Sequence, residues 1–94
     1  MKISVTEQDI KKGFVGECRA CPIALAIERA TGRVGVAVAR TYVNLGEIRA
    51  TGYHDLADLP ESARSFIQRF DSRNPVEPFE FELEVQTRIP YGWE

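Results

Sequence analysis

An α+β fold of one small domain follows from three features of the 94-residue chain. A proline-initiated apolar helix follows a C-x-x-C pair. A second helix carries its apolar residues at i, i+3, i+4 and i+7. A late segment alternates strictly between apolar and acidic residues, as a strand with one buried face must. No repeat, low-complexity tract or linker divides the sequence, so residues 1–94 read as one domain. A chain this size buries about 60–65% of its unfolded surface. That is enough for one core, and it favours a binding surface over a deep active site.

Ile3 and Val5 alternate with Lys2 and Ser4 and predict a short strand. Thr6-Glu7-Gln8-Asp9 fits a capping box, with Val5 and Ile10 as the matching hydrophobic staple. That helix is short because Gly13 and Gly16 break it, and a loop through Phe14 and Val15 follows. Proline lacks the N–H that the first helical position leaves unpaired. Pro22 therefore takes that position, Cys21 becomes the N-cap, and the helix runs to about Thr31 with Gly32 as its left-handed stop.

Arg33 to Val43 carries strand propensity. Val34, Val36, Val38 and Tyr42 share one face, and Gly35, Ala37, Ala39 and Thr41 share the other. Asn44-Leu45-Gly46 fits a hairpin connection leading into a return strand over Glu47 to Tyr53. Asp58-Leu59-Pro60-Glu61 opens the second long helix, with Ala63, Phe66, Ile67 and Phe70 as its buried stripe and Arg64, Gln68 and Arg69 on the wet side. Asn74-Pro75 stops it. In the last strand Phe79, Phe81, Leu83 and Val85 point inward, while Glu80, Glu82, Glu84 and Gln86 point outward. The order predicts a small mixed or antiparallel four-stranded sheet with helices packed on one face, in the ferredoxin-like β-α-β-β-α-β arrangement if it is wired as a split sheet.

Composition narrows the function. Twelve basic residues face 14 acidic ones, for a net charge of −2, and no basic stripe marks a nucleic-acid binder. There is no run of about 18 apolar residues and no apolar signal core near Met1. These features point to a cytoplasmic protein with reduced cysteines and no cofactor.

Cys18 and Cys21 admit four readings. Cys21 at a helix N-terminus can serve as a nucleophile with His54, the sole histidine, as its base. The pair can be redox-active, although C-x-x-C-P places the helix after the second cysteine rather than the first. With His54 the two thiolates can hold zinc, leaving a fourth ligand unassigned. The simplest reading is structural: a small buried thiol at a close-packed helix end. His54, between Tyr53 and Asp55, reads as an exposed turn histidine. Glu80, Glu82 and Glu84 form a carboxylate row that can bind a cation or a basic protein, or stand as a solvated face paired with Arg40, Arg49 or Arg88. Phe14, Tyr91 and Trp93 occupy loop or tail positions, where large aromatics serve recognition or seal a small core.

The run Gly16-Glu17-Cys18-Arg19-Ala20-Cys21-Pro22-Ile23-Ala24-Leu25-Ala26, together with Val5-Thr6-Glu7-Gln8-Asp9-Ile10, Leu59-Pro60-Glu61 and Pro75-Val76-Glu77-Pro78-Phe79, resembles a family of small proteins common in bacteriophage and prophage genomes. The resemblance carries over no catalytic residue. It implies an accessory protein that binds and redirects a host protein, defence systems included. The expectation is therefore a non-enzymatic protein-binding module, with Glu80, Glu82, Glu84, Tyr91, Trp93, Val36 and Val38 as candidate binding residues. A homodimer through the valine face is part of that expectation.

Overall fold

The computed structural model describes residues 1–48 and 51–88. The fold is α+β, and its described elements run β1 (Lys2–Val5), α1 (Glu7–Lys12), α2 (Pro22–Thr31), β2 (Ala37–Val38), β3 (Tyr42–Glu47), β4 (His54–Asp58), α3 (Glu61–Asp71), β5 (Phe79–Glu82) and β6 (Gln86–Arg88). The strands form two antiparallel sheets, a β1-β5 ribbon and a four-stranded sheet in the order β2-β3-β4-β6. The ferredoxin-like wiring of a single split sheet does not form. The final alternating run is shared between the sheets, β5 pairing with β1 and β6 with β4. Its face assignment holds even so: Phe81 and Leu83 are buried, Phe79 and Val85 half-buried, and Glu80, Glu82, Glu84 and Gln86 exposed.

Both N-terminal caps form as the sequence predicts. The Thr6 hydroxyl accepts the Asp9 N–H at 3.3 Å, and the Asp9 carboxylate accepts the Thr6 N–H at 2.9 Å. Val5 and Ile10 both pack on the core. Cys21 caps α2, Pro22 begins it, and Gly32 closes it in the left-handed region at φ 73°. The buried stripe of α2, Pro22, Ile23, Ala24, Ala26 and Ile27, lies against β1 of one sheet and β2 of the other.

The Arg33 to Val43 segment differs from expectation. Gly35 adopts φ 76°, and the Glu28 carboxylate accepts the N–H groups of Gly35 and Val36 at 2.9 and 3.2 Å. This segment is thereby held to α2 rather than to a neighbouring strand. The turned glycine also splits the valine face, leaving Val34 88% exposed while Val36 and Val38 fall to 0% and 5%. Val36 and Val38 are core residues, so a homodimer would need another surface. Pairing resumes at β2, and a tight hairpin through Arg40-Thr41 leads into β3, closed by the Ala39 N–H donating to the Tyr42 carbonyl at 2.8 Å.

Asn44-Leu45-Gly46 is a bulge within β3 and not a hairpin. Gly46, at φ 117°, lets Leu45 stand as the extra residue where the register shifts between Asn44 and Gly46. The turn comes later, where the Ile48 N–H meets the Tyr53 carbonyl at 2.9 Å. The return strand is accordingly β4, starting at His54. In α3, Ala63 and Phe66 are buried and Ile67 and Phe70 pack against the core, as their spacing requires.

Two buried aspartates fasten these parts. Arg29 grips Asp9 through both carboxylate oxygens (2.6 and 2.8 Å) and also donates to the Ser4 carbonyl of β1 at 2.8 Å. Arg33 donates to Asp55 of β4 at 2.5 Å, and the Thr87 hydroxyl of β6 donates to the other Asp55 oxygen at 2.9 Å. Burial pushes both carboxyls up. For Asp9 this is outweighed by the Arg29 and Thr6 hydrogen bonds with the Arg29 charge, and for Asp55 by Thr87 and Arg33. Both carboxyls end below their ordinary value of 3.8.

Two outcomes follow. With folded-state values depressed, the stabilisation from Asp9 and Asp55 is present above the ordinary carboxylate range and disappears as pH falls below it. Asp9→Asn should cost about 1–3 kcal/mol at neutral pH and flatten the acid limb of a stability–pH curve measured by urea unfolding. At Gly13 an added Cβ would lie 2.6 Å from Cδ of Pro22. Gly13→Ala should therefore lower the unfolding free energy by about 1–3 kcal/mol in the same assay.

Candidate functional site

The cysteines sit where the helix-start reading places them, but their environments are opposite. Cys18 is exposed, and its carbonyl accepts the Val38 N–H at 2.8 Å, closing the outer side of β2. Cys21 is 6% exposed, and its Sγ accepts the Ala24 N–H at 3.4 Å. Burial pushes the Cys21 thiol up and overrides the lowering by the Ala24 and Ile23 N–H groups; Asp71 and Cys18 push it further in the same direction. The α2 N-terminus therefore does not produce a thiolate here. The cleft beside the pair is about 140 Å³, bordered by Val38, Arg40, Ile67 and Asp71 among others.

His54 does not line that cleft. It begins β4, half-buried rather than in an exposed turn, with Nδ1 3.0 Å from Oδ1 of Asn44. The Cys21–His54 pairing is not assembled in this structure. Among the described residues no three His, Cys, Asp or Glu side chains converge as a metal-ion set. The thiol at the N-cap serves the helix start.

The carboxylate row does form, with different partners from those expected. Across the ribbon, Glu80 meets Nζ of Lys2 at 3.2 Å and the Ser4 hydroxyl at 3.0 Å. Ser4 and Lys2 hold the Glu80 carboxyl below its ordinary range. Glu82 lies 3.4 Å from the Met1 nitrogen. Strand pairing explains the difference from Arg40, since β5 lies beside β1 and its outward glutamates face Lys2 and Ser4 in register; the Arg88 side chain lies outside what the structure describes. Arg49 is outside the described residues.

The seam beside this row was not legible in the sequence. Phe66 of α3 stacks on Phe79 of β5 with centroids 4.9 Å apart, and Phe79 stacks on Phe81 at 5.4 Å. These rings hold residues 58–69 alongside residues 75–86. Two grooves follow that seam. One, of about 550 Å³, lies between Ser62, Ser65 and Arg69 on one bank and Pro75 to Phe79 on the other, with Phe66 also lining it. The second, of about 350 Å³, lies between Asp58-Leu59-Pro60 and Glu82, Glu84 and Gln86. Asp58, Glu77, Glu82 and Glu84 give the grooves an acidic balance against Arg69. The prolines flanking Val76-Glu77 were the available signal, since a segment punctuated in this way stays extended and uncovered.

Phe14 is 64% exposed and Tyr53 45%. Tyr91 and Trp93 lie outside the described residues. No family model, curated protein or solved structure matches the chain. Among the described residues no helix is long and apolar enough to cross a membrane.

The thiol assignment has a direct check. A raised Cys21 value means less thiolate at neutral pH, and burial limits reagent access as well. Iodoacetamide at pH 7 followed by peptide mass mapping should label Cys18 and leave Cys21 unmodified until denaturant is added.

Proposed function

We infer that this chain is a small non-enzymatic phage-type accessory protein that works by binding another protein, and that its target is a component of a host defence system which it inhibits. The observation that carries this reading is the seam between α3 and β5: one open groove lined by Phe66 and Phe79, and a second beside it with Asp58 on one bank and Glu82 and Glu84 on the other. Such a surface suits a polypeptide ligand, with an apolar centre for contact area and charges at the rim for orientation and encounter rate. The resemblance to phage and prophage proteins supplies the biological setting. The buried, raised thiol of Cys21 argues against the competing thiol-enzyme reading.

The test is affinity capture from a bacterial host lysate with the tagged chain and with a Glu82→Lys, Glu84→Lys variant. Both substituted residues are exposed, so the variant keeps the core intact. A stoichiometric partner, retained less as salt rises and lost by the variant, is the expected result. Repeated recovery of the chain alone, or equal capture by the variant, would overturn the assignment of this surface.

A further inference from the structure

The backbone of β5 presents hydrogen-bonding groups that β1 does not use. The Met1 nitrogen donates to the Leu83 carbonyl at 2.9 Å, and the Leu83 N–H donates back to the Met1 carbonyl at 2.8 Å. In an antiparallel pair, hydrogen-bonded and non-hydrogen-bonded positions alternate. With Ile3 opposite Phe81 and Val5 opposite Phe79, those residues are the bonded pairs. The N–H and C=O groups of Glu80 and Glu82 therefore point away from β1. Two other edges carry a cover at one group each: Arg29 donates to the Ser4 carbonyl on the far side of β1, and the Cys18 carbonyl receives the Val38 N–H of β2. Among the described residues nothing meets the outward backbone groups of Glu80 and Glu82. An unpaired edge of this kind is a template for another strand.

We propose that β5 accepts an extended basic segment of a partner protein as an added strand, laid along the seam beside α3. This rests on the protein-binding reading above and names its ligand chemistry. An added strand presents alternate side chains to opposite faces. On the outer face its residues stand beside Glu80 and Glu82, which calls for lysine or arginine. On the inner face they lie over Phe66 and Phe79, which calls for an aliphatic residue. A second copy of this chain is the wrong occupant, because two β5 edges meeting about a two-fold axis would set their glutamates against one another. Main-chain bonds supply the attachment and the alternating pattern the selectivity, as in other strand-addition complexes.

The probe is a capped hexapeptide of alternating lysine and valine, titrated into the ¹⁵N-labelled full chain. The amide resonances of Glu80 and Glu82 should shift and gain protection from hydrogen exchange. A glutamate–valine peptide of the same length should leave them unchanged. N-methylation of the peptide amides that face β5 should weaken binding about tenfold or more, the equivalent of about 1.4 kcal/mol. Unmoved Glu80 and Glu82 amides, or equal binding of the N-methylated peptide, would mean that the acidic row only guards the edge, and strand addition would be wrong. If a lysate partner is captured while the peptide leaves those amides unmoved, the protein-binding function stands without this mode. If the peptide binds as described and no lysate partner is captured, the edge chemistry stands and the host-directed role falls.

Discussion

The structure depends on the C-terminal end of α2, where Arg29 and Arg33 reach in different directions to two buried carboxylates. Arg29 ties α2 to α1 and β1 through Asp9 and the Ser4 carbonyl. Arg33 ties the exit of the same helix to β4, and through Asp55 and Thr87 to β6. A two-stranded ribbon is marginal in water, and the larger sheet includes a strand of two residues. Neither sheet has an obvious claim to stability alone. The helix between them supplies an apolar stripe for both and one arginine for each. Removing one partner of either ion pair would leave a charge in a poor environment, so these pairs fix the arrangement more than their net attraction suggests.

Local chemistry was legible and long-range chemistry was not. Thr6-Glu7-Gln8-Asp9, Cys21-Pro22 and Gly32 act within a turn of helix, and each is found in its expected role. The stripe of Ala63, Phe66, Ile67 and Phe70 follows from helical spacing alone. The middle of the chain defeated pattern reading because Gly35 and Gly46 use positive φ angles inside segments that otherwise look like continuous strand. Gly35 turns Val34 out and Val36 in, and Gly46 makes a bulge where a hairpin was expected. The strand over His54–Asp58 was hidden by Asp55, a buried charge whose partner lies 22 residues earlier in the chain.

The candidate site shows the same division. The row of Glu80, Glu82 and Glu84 is visible as alternation, but Lys2 and Ser4 as partners depend on which strand lies beside β5. Cys21 is a contest between two effects that sequence alone cannot weigh. A helix N-terminus favours a thiolate, whereas burial disfavours one. Here burial prevails, and the sulfur becomes an acceptor for a backbone N–H instead of a nucleophile.

Leu83, Glu84 and Val85 join the ribbon to the larger sheet. Three extended residues span only about 10 Å, which leaves no slack between β5 and β6. Mechanically the two strands are one rod clamped at both ends, by β1 along Phe79–Glu82 and by β4 along Gln86–Arg88. A pull along β5 is therefore borne at once by the Thr87–Asp55–Arg33 chain of bonds, and neither sheet can slide without dragging the other.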